Sequence, residues 1–368
     1  MKVPFLELAR LNAPYKAKFL EAASDFFDDG AFIGGACVTK FEREFAEYCN
    51  VEHCVGVGNG LDAITLALLA LGIGAGDEVI VPGQTFVATW LAVTHVGATN
   101  VPVDVEPRTS NIDPALIEAA ITPKTKAIIV VHLYGATADM ERISAIAKRH
   151  NLYVIEDTAQ AHGDVRFGRK AGAHGDIATF SFYPSKNLGA IGDAGCIATN
   201  SSELARRVRE FGNYGSSIKY KHDSIGFNSR LDPIQALFLS LKLKDLDSII
   251  EKRRKIAARY DAALGGLDES APVYRLLDSS IQSVWHNYVI VCKDRAAVEA
   301  ALTESGVGFG VHYPIIPAEQ PCYSAAQYDS DATPVSRMLS HSVLSLPMGE
   351  YLSDDEVSHV CEALKSLI

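Results

Sequence analysis

The sequence predicts an α/β protein with a large domain, built on a mostly parallel β-sheet, and a smaller α+β C-terminal domain. Two observations carry this prediction. Short β-branched runs alternate with amphipathic segments as far as about Ser201, and longer helical sequence follows. Such alternation is typical of parallel strands connected by helices. We therefore expect residues 1–245 to form the large domain and residues 246–368 the small one.

Seven apolar runs predict the strands of the large sheet, since each has the length and β-branched content of a buried strand. Segments with apolar residues at helical spacing separate most of them. The predicted strands are Cys54–Val57, Glu78–Pro82, Thr99–Val103, Ala127–His132, Leu152–Glu156, Ile177–Phe182 and Gly195–Thr199, and the helices between them include Ile64–Leu71, Pro114–Ala120 and Met140–Arg149.

The C-terminal part begins with helical sequence from Leu231 to Tyr260, which predicts a long connection between the two domains. Two strands and two helices are predicted beyond it, which is enough for an α+β module of about 110 residues. The strands are Val284–Val291 and Val307–His312, and the helices are Arg295–Glu304 and Asp354–Leu367.

Composition excludes several classes of protein. The 368 residues are 48% hydrophobic and 21% charged, which is typical of a globular chain. A net charge of −11 lacks the basic footprint of a nucleic-acid binder. The longest apolar stretch, Ala63–Ala75, is too short to span a bilayer. We therefore expect a cytoplasmic protein without nucleic-acid or membrane partners.

Cysteine and histidine spacing indicates neither a disulfide framework nor a metal centre. The seven cysteines are odd in number and include no CxxC pair. His174 and Asp176 lie close in sequence, but no third ligand is convincingly placed. We therefore predict no metal site.

A glycine-rich segment, Gly56–Asp62, follows a predicted strand and opens a predicted helix. Glycines at such a junction let the backbone approach a ligand, and free N–H groups at a helix start bind phosphate. A tight strand-to-helix turn is the alternative. A dinucleotide fingerprint would need a third glycine where Leu61 stands, so the NAD-dependent oxidoreductase hypothesis lacks one residue.

Two further motifs place an acid and a lysine near strand ends. Glu156 and Asp157 end an apolar strand, where ligands bind in open α/β sheets, although a helix N-cap formed by Asp157 or Thr158 is equally compatible. Lys186 follows another buried run among small residues. A desolvated lysine of this kind can form an imine, whereas most lysines simply lie at the surface. A phosphate site, an acid and an imine-forming lysine are together what pyridoxal phosphate requires.

With these motifs in place, the chain resembles the DegT/DnrJ/StrS sugar aminotransferases, which are fold type I pyridoxal phosphate enzymes. The resemblance runs from Val3 to Pro314. Its strongest stretches are Gly58–Ala63, Gly76–Pro82, Glu156–Gly163 and Ser181–Gly189.

The resemblance implies a role for each matching residue. Lys186 is expected to link covalently to the cofactor and then to shuttle protons. Asp157 is expected to keep the pyridine nitrogen protonated, Gln160 to contact the ring hydroxyl side, and Phe86 to stack on the ring. The phosphate is expected to be held by Asn59, Gly60, Leu61 and Ser181, and from the other subunit of a homodimer by Asn228.

The resemblance also implies a nucleotide-linked ketosugar as acceptor and glutamate as donor. Asn59–Ala63 is similar to the branch that aminates C3 of dTDP-linked 3-keto-6-deoxyhexoses, and a C4-specific enzyme is the alternative. The product would be a 3-amino-3,6-dideoxyhexose for a surface polysaccharide, such as a lipopolysaccharide O-antigen, or for a glycosylated metabolite. The expected substrate contacts are Tyr183, Lys219, His312 and Tyr313, and for Lys219 a solvated loop position is the alternative.

One departure from the family pattern lies near the expected sugar-nucleotide site. After His312-Tyr313-Pro314 the family usually continues towards a second histidine, but this chain has Pro317-Ala318-Glu319-Gln320. The change concerns the substrate and leaves the predicted cofactor residues complete.

Overall fold

The computed structural model describes residues 1–323 and 328–368. Within those ranges the strands are β1 His53–Val57, β2 Glu78–Pro82, β3 Thr99–Val103, β4 Thr125–Val131, β5 Tyr153–Asp157, β6 Val165–Arg166, β7 Arg169–Lys170, β8 Ile177–Ser181, β9 Gly195–Thr199, β10 Ser216–Ile218, β11 Lys221–His222, β12 Val273–Arg275, β13 Tyr288–Cys292 and β14 Val343–Leu346. The α-helices are α1 Leu8–Asn12, α2 Lys16–Asp29, α3 Gly35–Cys49, α4 Gly60–Leu71, α5 Ala88–His95, α6 Pro114–Ile117, α7 Met140–His150, α8 Ser202–Gly212, α9 Pro233–Leu243, α10 Leu246–Leu264, α11 Arg295–Glu304, α12 Pro334–Ser342 and α13 Asp354–Lys365.

The large sheet contains seven strands in the order β1-β9-β8-β5-β4-β2-β3. These are the seven predicted strands, with ends that differ from the prediction by two residues at most. Strand β9 runs antiparallel to both of its neighbours, and the other strand pairs of this seven-stranded sheet are parallel. The carboxyl ends of the remaining six strands therefore meet at one edge of the sheet, and the predicted α/β fold class is confirmed.

Both faces of this sheet are buried because side chains alternate along each strand. In β5, Ile155 packs towards α4 and α5, whereas Val154 packs towards α7. In β8, Ile177 shares the first of these faces and Phe180 packs on the opposite face against α3. The result is a three-layer domain whose sheet cannot shift by one residue without exposing its core.

A second hydrophobic cluster lies around the antiparallel sheet β12-β13-β14. Helices α10, α11 and α13 supply most of its remaining side chains. Val3 also belongs to this cluster, because the start of the chain forms a bridge with Val307. The first residues of the chain therefore pack with its last hundred.

Several predicted elements were wrong in extent. The helical sequence from Leu231 to Tyr260 is two helices, α9 and α10, because Lys244 and Asp245 break it. The run Val307–His312 is not a strand, since within the described residues its β-pairing consists of single bridges at Val307 and Gly310. Strand β13 begins four residues later than the predicted Val284, and Pro114–Ala120 is one α-helical turn followed by a 3-10 turn.

Candidate active site

A cavity of about 670 Å³ opens at the edge where the parallel strands end. Segments that follow β1, β2, β4, β5 and β8 line it, together with the 312–313 segment from the C-terminal part. Most of the predicted site residues meet here. They are Asn59, Gly60, Leu61, Phe86, Asp157, Gln160, Ser181, Tyr183, Lys186, His312 and Tyr313.

The beginning of α4 forms one wall of the cavity. Asn59 caps this helix, and its side-chain oxygen accepts from the Asp62 N–H at 2.8 Å. In the described part of the chain, no residue accepts from the N–H groups of Gly60 and Leu61. Such open N–H groups at a helix start attract an anion, so this wall suits a phosphate.

Close packing makes glycine necessary at position 60. A Cβ atom on Gly60 would lie 2.7 Å from the Ser181 Cβ atom, which is closer than real side chains approach. Gly195 on β9 is restricted in the same way, because its Cβ atom would lie 2.6 Å from the Asn59 carbonyl oxygen. The two glycines bring the start of α4 directly against Ser181 at the end of β8.

The neighbouring acids Glu156 and Asp157 point to opposite faces of β5. Glu156 lies outside the cavity, where it bonds His132 at 2.9 Å and accepts from the N–H groups of Gly172 and Gly175. Burial would raise the pKa of Glu156, but these partners outweigh burial and lower that pKa. Glu156 therefore anchors the 172–175 loop as a buried carboxylate, and Asp157 alone faces the cavity.

Asp157 is 6% exposed and receives two hydrogen bonds from the protein. The Ala159 N–H reaches Oδ1 at 3.2 Å, and the Thr89 hydroxyl reaches Oδ2 at 3.0 Å. Burial raises the pKa of Asp157, whereas these donors and the charge of Lys186 act in the opposite direction. A buried carboxylate in this position is suited to pair with a cationic ligand atom.

Lys186 lies in the same cavity, beyond the end of β8. Burial lowers the pKa of Lys186 to about 8, and the nearby Asp157 limits this shift. A lysine with such a pKa carries a substantial neutral fraction at mildly alkaline pH, which is what a nucleophilic or proton-transferring amine needs.

Gln160 is fixed by hydrogen bonds at both ends of its amide. Its Oε1 atom accepts from the Tyr134 N–H at 2.7 Å, and its Nε2 atom donates to the Tyr313 hydroxyl at 3.1 Å. The Tyr134 hydroxyl in turn donates to the His312 carbonyl. This chain of contacts ties the end of β4 to the 312–313 segment across the cavity.

Aromatic side chains line the outer part of the cavity. Phe86 and Tyr183 are about half exposed, so neither is a core residue. The Phe86 ring lies 5.3 Å from the Tyr313 ring, centre to centre. Burial lowers the pKa of His312 to about 4, with Lys186 adding to the effect, so His312 is neutral at physiological pH. A flat ring and neutral polar groups therefore face each other here.

Residues 14–365 match the DegT/DnrJ/EryC1/StrS aminotransferase family. The chain belongs to this family. Its sequence is 46% identical over 362 residues to dTDP-3-amino-3,6-dideoxy-alpha-D-galactopyranose transaminase of Aneurinibacillus thermoaerophilus, with 98% of each chain covered.

Two solved structures extend the likeness to the whole fold. The chain superimposes on S. venezuelae DesV in complex with a ketimine intermediate with a TM-score of 0.96 and 41% identity, covering 99% of this chain and 98% of that one. NtdA from Bacillus subtilis with bound cofactor PMP gives a TM-score of 0.93 and 36% identity, covering 100% of this chain and 85% of that one. The family resemblance inferred from the motifs is thereby confirmed.

Two site residues predicted from the DegT/DnrJ/EryC1/StrS resemblance lie outside the cavity. Lys219 is exposed in the β10–β11 turn, with its amine 5.0 Å from the Tyr220 ring. Asn228 is also exposed, and its backbone bridges Asn213. Neither residue is among those that line the cavity of this chain.

Sequence reasoning missed several cavity residues of this aminotransferase, among them Thr85, Thr89 and His286. Thr85 and Thr89 flank Phe86, and their four-residue spacing was a signal that they share a side of the loop and helix. His286 gave no such signal, because it comes from the irregular segment before β13.

The departure from the family pattern after Pro314 forms a 3-10 turn, Pro317–Glu319, and residues 317–320 are not among those that line the cavity. Ala318 is buried, and the Glu319 carboxylate pairs with Arg337 at 3.0 Å. Among residues 1–323 and 328–368, no three metal-ligating side chains gather into a site. Over the same ranges, no helix has the length and apolar character needed to cross a membrane.

Proposed function

We propose that this protein is a pyridoxal phosphate-dependent aminotransferase that moves an amino group from glutamate to C3 of a dTDP-linked 3-keto-6-deoxyhexose. One observation carries the proposal. A single cavity holds the partly buried Lys186 side chain, the buried Asp157 carboxylate and the open N-terminus of α4. The alternative function, an NAD-dependent oxidoreductase, would leave Lys186 without a role.

The cavity fits pyridoxal phosphate in charge and in shape. The phosphate needs N–H donors, which the start of α4 offers at Gly60 and Leu61. The pyridine nitrogen needs a carboxylate, which is Asp157, and the aldehyde needs an amine, which is Lys186. Phe86 presents an exposed ring at the same cavity, as a stacking partner for the cofactor ring requires.

We assign the remaining cofactor contacts to Asn59, Ser181 and Gln160. Asn59 fixes the first turn of α4 and so keeps its N–H groups directed at the phosphate. Ser181 adds a hydroxyl beside that turn. Gln160 keeps one amide hydrogen free after its bond to Tyr313, and this hydrogen is available to the oxygen on the cofactor ring.

When bound, pyridoxal phosphate supplies an electron sink for negative charge that develops at the substrate carbon. Asp157 keeps this sink effective by holding the ring nitrogen in its protonated form. Lys186 Nζ accepts a proton from the carbon of the amino donor. In the second half of the reaction, the same amine donates a proton to the carbon of the acceptor sugar. The depressed pKa of Lys186, about 8, keeps both states of the amine accessible near neutral pH.

The pH dependence of cofactor uptake should reveal the state of Lys186. Only the neutral amine attacks an aldehyde, so the uptake rate of the cofactor-free protein should rise with pH and level off above about 8. Stopped-flow absorbance after mixing with pyridoxal phosphate measures this rate. A rate that continues to rise towards pH 10 would show that burial does not depress the pKa of this lysine.

Replacing Gly60 with alanine should weaken cofactor binding. The new methyl group would displace the start of α4 from Ser181, at a strain cost that corresponds to about 10- to 100-fold in affinity. Fluorescence titration of the cofactor-free variant with pyridoxal phosphate measures the change. Gly74→Ala is the matched control, because a Cβ atom there meets only an ordinary 3.4 Å contact. Equal affinities for the two variants would contradict the proposed phosphate site.

The sugar substrate is proposed from the resemblance of this chain to the A. thermoaerophilus enzyme. That relative's name specifies a dTDP-linked 3-amino-3,6-dideoxyhexose, which favours amination at C3 over C4. We infer that Tyr183, His312 and Tyr313 contact the sugar nucleotide, since all three line the cavity. We also infer that the product enters a surface polysaccharide, such as a lipopolysaccharide O-antigen, or a glycosylated metabolite.

A panel of sugar nucleotides tests this substrate directly. The holoenzyme is incubated with glutamate and dTDP- or UDP-linked 3-keto or 4-keto sugars, and the products are identified by mass spectrometry and NMR. We expect an amine at C3 of the dTDP-linked 3-keto-6-deoxyhexose. An amine at C4 would contradict the regiochemistry. Glutamate alone should release one equivalent of 2-oxoglutarate per site, and a failure to do so would exclude it as donor.

We further propose a homodimer in which Asn228, and also Lys219, act in the partner's site. The segment that carries them exposes large apolar side chains, including Ile218, Tyr220 and Ile225, which is unusual for a free surface. Mixing Lys186→Ala with Asn228→Ala chains tests this arrangement. If Asn228 acts across the interface, each mixed dimer regains one intact site and activity reappears. Without reappearance after subunit exchange, Asn228 would act only in its own chain.

We retain two further assignments as proposals. Residues 1–245 and 246–368 form the large and small domains, which is supported by the separate cluster around β12-β13-β14. Val3 belongs to the first range but packs in the cluster of the second, so limited proteolysis should release no stable C-terminal piece without the first residues.

A cytoplasmic location follows from the nucleotide-sugar substrate and is testable by cell fractionation.

A further inference from the structure

A chain of two threonine hydroxyls ends on the carboxylate of Asp157. Thr89 and Thr85 are 1% and 2% exposed, so water does not compete for their hydroxyls. The Thr89 oxygen lies 3.0 Å from Asp157 Oδ2 and 2.8 Å from the Thr85 oxygen. An ionised carboxylate only accepts, so Thr89 donates its one proton to Asp157 and accepts from Thr85. Both hydrogen bonds therefore run in the same direction, from Thr85 to Thr89 and from Thr89 to Asp157.

Two secondary structure elements fix the geometry of this chain. Thr89 is the second residue of α5, and its N–H bonds the Phe86 carbonyl at 3.2 Å. Asp157 is the last residue of β5, and both residues line the cavity. The contact therefore links the loop that presents Phe86 to the carboxylate proposed to hold the ring nitrogen.

The Thr89 bond opposes the effect of burial on Asp157. Burial favours the neutral acid, whereas hydrogen bonds from Thr89 and from the Ala159 N–H favour the anion. Each donor occupies a different carboxylate oxygen, so the plane of the group is fixed. A hydrogen bond to a charged acceptor is stronger than one between neutral groups, and its loss inside a protein leaves the charge poorly solvated.

We propose that Thr89, supported by Thr85, is a positioning residue that keeps Asp157 ionised and oriented towards the ring nitrogen of the cofactor. This inference rests on the proposed pyridoxal phosphate function and adds to it a determinant of cofactor affinity. A threonine that only fills space would act through its methyl group. A positioning threonine acts through its hydroxyl.

Two substitutions separate these roles. Thr89→Val keeps the shape and removes the hydroxyl, whereas Thr89→Ser keeps the hydroxyl and removes the methyl group. The cofactor-free proteins are titrated with pyridoxal phosphate, and the dissociation constant is measured as a function of pH. We expect affinity for Thr89→Val to fall by about 10- to 100-fold, as for the loss of a charge-assisted bond, and Thr89→Ser to stay near wild type.

The pH profile adds a signature that packing alone would not produce. Without the Thr89 donor Asp157 takes up a proton more readily, so the acid-side loss of cofactor affinity should begin at higher pH. Among the described residues, the titratable groups that interact electrostatically with Asp157 are Lys186, His132 and Tyr313, and all three stay unchanged in these variants. Thr85→Val should show the same shift at smaller size, because Thr85 acts through Thr89.

Each outcome decides between the two roles. Wild-type affinity and pH profile for Thr89→Val, with a loss for Thr89→Ser, would establish a packing role and overturn the inference while leaving the proposed function intact. A wild-type protein that fails to bind pyridoxal phosphate would overturn the proposed function and this inference together. Thermal unfolding of each variant shows whether a loss of affinity merely reflects a loss of folding.

Discussion

Replacing Lys186 with alanine is expected to lower transamination by about 10³-fold or more. The amine is the cavity's only lysine side chain among the described residues, so no neighbour can take over its proton transfer. The variant should still fold and bind pyridoxal phosphate, since removing a buried cation relieves a desolvation cost. Turnover is measured by the release of 2-oxoglutarate from glutamate.

A spectroscopic readout separates this effect from a general loss of structure. Wild type should show a visible absorption band that borohydride removes together with activity, and mass spectrometry should place the reduced cofactor on Lys186. Lys148→Ala is the control, because Lys148 is exposed in the last turn of α7 and is not among the residues that line the cavity. Full turnover of Lys186→Ala would refute the proposed mechanism.

Asp157→Asn should produce the second large loss. The substitution keeps the shape of the side chain but removes the charge that stabilises a protonated ring nitrogen. Removing one partner of a buried pair costs about 3–5 kcal/mol, so we expect cofactor affinity or turnover to fall by about 10²- to 10⁴-fold. Titration of the cofactor-free variant and single-turnover kinetics with glutamate separate these two effects.

A second buried carboxylate provides the comparison for Asp157. Asp164 is 1% exposed and accepts from the Thr137 N–H at 2.9 Å, outside the cavity. Asp164→Asn therefore tests what the loss of a buried acid does to folding in general, and its cofactor affinity should remain close to wild type. If both variants lose affinity equally, the effect of Asp157 would be structural.

Local pattern was enough to predict most of the large domain. The seven strands were found because each is a short apolar run bounded by polar or glycine residues, and burial on both faces makes such runs conspicuous. Asp157 and Lys186 followed, because parallel strand ends must meet at one edge. Residues that lie next to strand ends in sequence thus became neighbours in space.

Other features depend on contacts that sequence spacing does not encode. The segment Val307–His312 has the composition of a strand, but its strand-type pairing with the described residues is limited to single bridges at Val307 and Gly310. The helices α2 and α3 were not predicted, although both are amphipathic and pack near α9. The link from Tyr134 through Gln160 to Tyr313 joins residues more than 150 positions apart, which no local pattern reveals.

The side chains of Glu156 and Asp157 point to opposite faces of β5, and this arrangement has a consequence for folding. Each acid is tolerated in the interior only by its own set of donors, one behind the sheet and one at the cavity. A strand slipped by one residue would turn each carboxylate to the opposite face of the sheet, away from the donors that now satisfy it, and so leave buried charges without their partners. The two acids therefore favour the observed register of β5, because a shifted pairing would cost far more free energy than it would for a strand with an apolar end.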